Sequence, residues 1–173
     1  MQAGMEVYTV APTKSIKAMG KLQIIPDYVI GDKGIPHADI VALPGGDGAE
    51  PSLQNKKTMD WIKQVVQHSN YNFSVCTGSY LLAETGILDG KKSTTFHTLI
   101  DDMRKRYPKV EVLKGVRFVD NGHEITTAGI SAGIDGALYL VAKIYGENIA
   151  KRVAITIEYD KWNPNDGYIV HEN

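Results

Sequence analysis

The sequence predicts a single α/β domain, a three-layer sandwich in which helices cover both faces of a mostly parallel sheet that also carries one antiparallel hairpin. Three observations lead there. Short apolar runs alternate along the chain with stretches of helical period. The run at 39–43, Asp-Ile-Val-Ala-Leu, is almost continuously apolar, as a strand covered on both faces must be. Asn121-Gly122 stands between two strand-like runs, a strong two-residue hairpin signal. The chain's 173 residues are enough for one such domain with a sizeable core.

The elements follow in order. Residues 5–11 read as a strand closed by Pro12, and 21–25 as a second short strand stopped by Pro26. The strand at 39–43 runs into Pro44-Gly45-Gly46-Asp47-Gly48. Residues 56–68 form a helix with Met59, Ile62, Val65 and Val66 on one face. A buried strand at 72–75 leads through Cys76 into a helix at 77–85, which Gly86 can end. Further helices are predicted at 99–107, 131–145 and 148–159. In the second, Ile134, Leu138, Val141 and Ile144 or Tyr145 share a face; in the third, Ile149, Val153 and Ile157 do. Residues 110–113 make a short strand, 116–120 and 124–127 make the hairpin, and 163–167 is turn material. There is no internal repeat, low-complexity tract or linker.

Composition narrows the function. The apolar fraction of 43% and charged fraction of 23% are those of a globular protein. A net charge of −1 supplies no broad field toward nucleic acid or an anionic membrane. Lys91-Lys92 and Arg104-Lys105-Arg106 read as solvated faces. No apolar run reaches membrane-spanning length and no signal-peptide core opens the chain, so a cytoplasmic location is the default expectation. One cysteine rules out an internal disulfide. No His-Glu-x-x-His or Cys-x-x-Cys supports a metal, and neither a Walker A loop nor Gly-x-Gly-x-x-Gly is present, so neither metal nor cofactor is expected.

Cys76 sits at a strand-to-helix turn, where a thiol faces the free N–H groups of the helix and the positive end of its dipole. That placement favours thiolate and so a nucleophile, although a lone cysteine can also be simply a small buried hydrophobe. Gly78 fits a tight elbow. In a parallel sheet the loops at the carboxyl ends of the strands build the site. Three converge here: 44–48, Cys76-Thr77-Gly78, and 128–133 with Gly129, Ile130 and Ser131. The Thr77 amide and one from Gly45-Gly46 make a natural oxyanion hole. Thr95 and His97 are further pocket candidates, with Asp47 on the glycine loop. His68, His123 and His171 read as surface residues, and His37 as a structural residue in a loop.

Several motifs together resemble the ThiJ/PfpI superfamily: Leu43-Pro44-Gly45-Gly46, Val75-Cys76-Thr77-Gly78, the run 86–95 ending in Ser93-Thr94-Thr95, and the run 127–135 from Thr127 to Asp135. The similarity covers nearly the whole chain and is nearest the branch holding isonitrile hydratases and the amidotransferase-like domains of AraC-type regulators. It implies a flavodoxin-like, class I glutamine amidotransferase-like fold and a homodimer. It also implies Cys76 as nucleophile and the Gly46 and Thr77 amides as anion donors. Members open with a strand and helix that carry an acidic residue beside the cysteine. This chain starts at what reads as the second strand, so that unit and its carboxylate have no counterpart in it; the expectation is that the sequence is incomplete at its N-terminus or that another segment or subunit fills the slot. Thr77 stands where protease-type members have His, which argues against peptidase activity. Phe96 stands where the hydratase-like branch has His, with His97 one residue on. The chain ends too soon for the helix-turn-helix of the regulators.

The resulting expectation is a cysteine-dependent hydratase or hydrolase acting on a small molecule. The alternatives are a redox sensor using the same thiol and a ligand-binding domain without chemistry.

Overall fold

The computed structural model describes residues 3–171. Its strands and helices run β1 (Val10–Ala11), β2 (Ile16–Lys17), β3 (Gln23–Ile24), β4 (Tyr28–Val29), β5 (Ile40–Leu43), α1 (Ala49–Gln54), α2 (Lys56–Val66), β6 (Tyr71–Val75), α3 (Gly78–Glu84), β7 (Lys92–Ser93), α4 (Ile100–Arg106), β8 (Glu111–Val112), β9 (Phe118–Asp120), β10 (Glu124–Thr127), α5 (Ser131–Tyr145), α6 (Glu147–Thr156) and β11 (Tyr168–Ile169). The central sheet has five strands in the order β11-β9-β10-β6-β5. The β5–β6, β6–β10 and β9–β11 pairs are parallel, and the β9–β10 hairpin is antiparallel, with Ile125 opposite Asp120. Asn121-Gly122 makes the turn, as the sequence requires; Gly122 has φ +93°.

Alternation along the strands divides the core in two. Val41 and Leu43 face one side, where they meet Met59, Ile62 and Val66 of α2, Leu81 and Leu82 of α3, and Ile100 and Met103 of α4. Phe73 and Ile125 face the other, against Leu140 of α5. Helix α2 begins where it does because the Asn55 side chain accepts the Thr58 N–H at 3.0 Å. Helix α3 ends at Thr85, with Gly86 at φ +83° in the left-handed conformation of a C′ glycine.

Four expectations need correction. The strand at 5–11 shrinks to Val10–Ala11, which pairs in parallel with the unforeseen β4 in a separate two-stranded sheet. The strand at 21–25 shrinks to β3, which pairs antiparallel with β2 in another two-stranded sheet, while β5, as the empty slot implied, has a partner on one side only among the described residues and forms the edge of the main sheet. The strand at 110–113 shrinks to β8 and pairs with β7, outside the main sheet. The tail was read as turn, yet Tyr168–Ile169 pairs with β9.

The helix faces also differ. Helix α5 turns Ala132, Gly133, Asp135, Gly136, Leu138, Leu140 and Val141 inward, while Ile134 and Tyr145 stay exposed. Helix α6 buries Ala150 and Ala154 and leaves Ile157 exposed. Gly133 and Gly136 let α5 lie close on the sheet, where a Cβ would meet Val75 at 2.8 Å and Thr127 at 2.4 Å, and larger apolar side chains of α5 and α6 line an open groove of about 360 Å³. Val75, Ile134, Val141, Val153 and Ile157 are among its walls. Lys91 is not a free surface charge either, for it pairs with the buried Glu124 at 2.6 Å.

Candidate active site

Cys76 follows the last residue of β6, Val75, and precedes the N-cap of α3, Thr77, on a turn that forces it to φ +56°. A non-glycine residue there is held by its surroundings. The hydrogen bonds that hold it run to its backbone. Its N–H donates to the carbonyls of Thr127 and Ala128, each at 3.2 Å. Its carbonyl accepts from the Ser79 hydroxyl at 2.9 Å and the buried Thr95 hydroxyl at 3.0 Å. The thiol is half-exposed, and among the described residues no side chain hydrogen-bonds to it.

The glycine loop is pressed against this elbow. A Cβ on Gly78 would lie 2.2 Å from the Leu43 carbonyl oxygen, and one on Gly45 would lie 2.7 Å from the Cys76 Cβ, so only glycine lets these two turns touch. Gly46, at φ +104°, donates its N–H to Thr77 Oγ1 at 2.8 Å, and the Thr77 hydroxyl lies 3.2 Å from the Gly46 carbonyl. The Thr77 N–H makes no hydrogen bond among the described residues. Asp47 is exposed on the same loop.

The third loop closes the other side. Gly129 lies under the Phe96 ring, which a Cβ would meet at 2.4 Å. Ile130 takes φ +51° and ψ −98° as the N-cap of α5 and is 81% exposed. Ser131, also exposed, accepts from the Arg117 guanidinium at 3.0 Å. The structure thus brings Gly45, Gly46, Thr77, Gly78 and Thr95 directly onto the Cys76 elbow, and Gly129, Ile130 and Ser131 follow the carbonyl that receives its N–H. His97 makes no hydrogen bond to the elbow among the described residues; it is exposed, edge-on to Phe96 with ring centroids 4.5 Å apart. His37, His68, His123 and His171 are likewise exposed. No group of three or more His, Cys, Asp or Glu side chains that could hold a metal occurs among the described residues.

Sequence reasoning missed Ser79 and Arg117, and it named Phe96 and Asp135 only within motifs, without a role at the site. Asp135 carried the one available signal, a carboxylate within the most apolar helix of the chain. It is buried on α5, ion-paired with Arg117, and accepts the Tyr159 hydroxyl at 2.9 Å. Burial, followed by that bond, pushes the Tyr159 hydroxyl pKa upward.

Comparison with known proteins decides the family. The family model described as DJ-1/PfpI matches residues 1–143. The chain belongs to the DJ-1/PfpI family. Among relatives, the isonitrile hydratase of Pseudomonas putida is 35% identical over 145 residues, 84% of this chain and 61% of the hydratase. The HTH-type transcriptional regulator GbdR of Pseudomonas aeruginosa is 25% identical over 148 residues, 86% of this chain and 39% of the regulator. A crystal structure of a ThiJ/PfpI family protein from Pseudomonas syringae superposes with a TM-score of 0.80 at 28% identity, covering 92% of this chain and 65% of that one. The chain therefore spans less than two thirds of the length of each of these DJ-1/PfpI relatives. The ThiJ/PfpI resemblance and the α/β fold read from the sequence both hold. No described helix is long and apolar enough to cross a membrane.

Proposed function

We propose that this DJ-1/PfpI protein is a cysteine-dependent hydratase or hydrolase for a small molecule, with Cys76 as its nucleophile. The single observation that carries the reading is the backbone of Cys76: a half-exposed thiol at φ +56° on the turn between β6 and α3, held by four hydrogen-bond partners. In the reaction the Sγ electron pair bonds an electrophilic carbon. For an isonitrile, that carbon then takes a proton and the adduct is a thioimidate. Water adds to it and the C–S bond breaks, which releases an N-substituted formamide and returns the thiolate. For an amide the same attack expels an amine, and water releases the acid.

Thr77 N–H and Gly46 N–H are the donors for the developing negative charge. The first is unoccupied, and a ligand atom takes the second from Thr77 Oγ1. Gly45, Asp47, Gly78, Thr95, His97, Gly129, Ile130 and Ser131 are the residues around which the pocket is sought. Similarity to the isonitrile hydratase favours the hydratase form. Turnover of isonitriles, amides and α-oxoaldehydes, with Cys76→Ser as control, tests it; activity that survives in Cys76→Ser rejects the nucleophile.

Similarity to GbdR supports a second reading, a ligand-binding domain without turnover. In that case none of the three substrate classes is consumed, and intact mass after mild peroxide separates a redox-active thiol from an inert one. Family membership further supports a homodimer, and the single cysteine suits a reducing, cytoplasmic compartment. Sedimentation equilibrium showing only the 19.0 kDa species at micromolar concentration argues against the dimer. The one-sided pairing of β5 supports a single domain whose sheet takes one more strand at that edge, from another segment or another subunit.

A further inference from the structure

Arg117 stands immediately before β9 and grips the turn 128–131 from both ends. Its carbonyl accepts the Ala128 N–H at 2.9 Å. Its guanidinium donates to Ser131 Oγ at 3.0 Å and forks onto Asp135, one helical turn into α5. Asp135 is only 2% exposed, and its other oxygen takes the Tyr159 hydroxyl. A buried carboxylate paired in this way is fixed in position, because leaving it unpaired is strongly unfavourable. Arg117 thereby ties the start of β9, the first two turns of α5 and the segment after α6 to one point.

The turn between those two anchors is strained. Ile130 is β-branched and exposed, yet it is held at φ +51° and ψ −98°. Such a conformation persists only where neighbouring structure over-determines it. Residue 128, at the start of the same turn, supplies a carbonyl to the Cys76 N–H. The turn is thus held at both ends: the guanidinium fixes Ser131 and Asp135, the Arg117 backbone carbonyl fixes Ala128, and the Ala128 carbonyl in turn accepts from the Cys76 N–H.

We infer that Arg117 is a positioning residue for Cys76, setting the direction of Sγ through the strained 128–131 turn without touching the thiol. The inference rests on Cys76 being a reactive thiol. The plain alternative is an ion pair that only stabilises the fold, and the two part experimentally. The measurements are the iodoacetamide alkylation rate of Cys76 across pH, well below the melting temperature, and the hydrogen-exchange rate of the Cys76 amide. Arg117→Met is compared with Arg117→Lys, with Ser131→Ala, and with Lys143→Met, which breaks the buried Lys143–Asp120 pair (2.6 Å) elsewhere on α5.

The expected result is an alkylation rate altered by roughly tenfold in Arg117→Met, since an ångström of misplacement costs a reacting group up to about a hundredfold. Its pH midpoint shifts and its Cys76 amide exchanges faster. Arg117→Lys restores part of the difference, and Lys143→Met leaves rate, midpoint and amide unchanged despite a lower melting temperature. If Arg117→Met does not fold, Ser131→Ala, on an exposed position, carries the test with a smaller change in the same direction. Wild-type rate, midpoint and amide exchange in the Arg117 and Ser131 variants overturn the inference, as does an equal change in Lys143→Met. A wild-type Cys76 that resists alkylation overturns the nucleophile reading instead, and the amide exchange still decides whether Arg117 positions the elbow.

Discussion

The Gly46 N–H donates to Thr77 Oγ1 at 2.8 Å, so the two loops that frame Cys76 are fastened to each other by a side chain from the elbow itself. Thr77→Val keeps the shape of the side chain but leaves this amide without an acceptor. A loss of about 1 kcal/mol in urea unfolding is expected, with Thr77→Ser close to wild type. Equal stability of all three proteins would show that the fastening contributes nothing.

Gly129 has no room for a side chain, because a Cβ would lie 2.4 Å from the Phe96 ring. Gly129→Ala is expected to cost about 1–3 kcal/mol through overpacking. Phe96→Leu in the same chain should recover part of that loss, and a double-mutant cycle measures the coupling. Strictly additive losses would mean that the ring and residue 129 do not compete for the same space.

Alkaline pH should unfold the protein early. Burial, and then hydrogen bonds donated to Asp102, Glu84 and Asp120, push the hydroxyls of Tyr80, Tyr107 and Tyr139 well above the ordinary tyrosine range. The folded state therefore holds these protons more tightly than the unfolded chain does. The stability they contribute is complete below the unfolded value near pH 10 and falls as pH rises beyond it. Melting temperatures from pH 8 to 11 should decline above about pH 10, and Tyr139→Phe should flatten the decline. A flat profile in the wild type would refute the assignment.

Amide exchange should separate the two ends of the parallel sheet. Among the described residues β6 has partners on both sides, whereas β5 has one. Alternate amides among 40–43 should exchange markedly faster than any among 72–75, where both neighbours and both core layers protect the backbone. Uniform protection across 40–43 would mean that the edge is already covered, most simply by a second copy.

Much of this architecture was legible in the residues. Asn121-Gly122 fixed the hairpin, Gly86 marked a helix end, and the sequence 43–46 with 75–78 located the elbow, because backbone contact there demands small residues at particular positions. What stayed hidden was set by partners far away in the chain. A two-residue strand such as Tyr168–Ile169 has no period of its own and exists only because β9 offers it an edge. The faces of α5 and α6 were legible only in part: Leu138 and Val141 are buried as the period suggests, whereas Ile134, Tyr145 and Ile157 stay exposed, because Gly133 and Gly136 take the closest contacts with the sheet. Arg117 could not be singled out either, since its meaning depends on Asp135 and Ser131 meeting it after folding.

The flank of β5 that has no paired strand among the described residues also governs how the molecule behaves in a crowded solution. Natural sheets blunt such flanks with lysine, proline or a bulge. Ile40, Val41, Ala42 and Leu43 offer no charge and no proline, and Ala42 is exposed. Until something occupies that flank, each molecule is a template for the next, and concentrated samples will gel or precipitate sooner than a net charge of −1 alone implies.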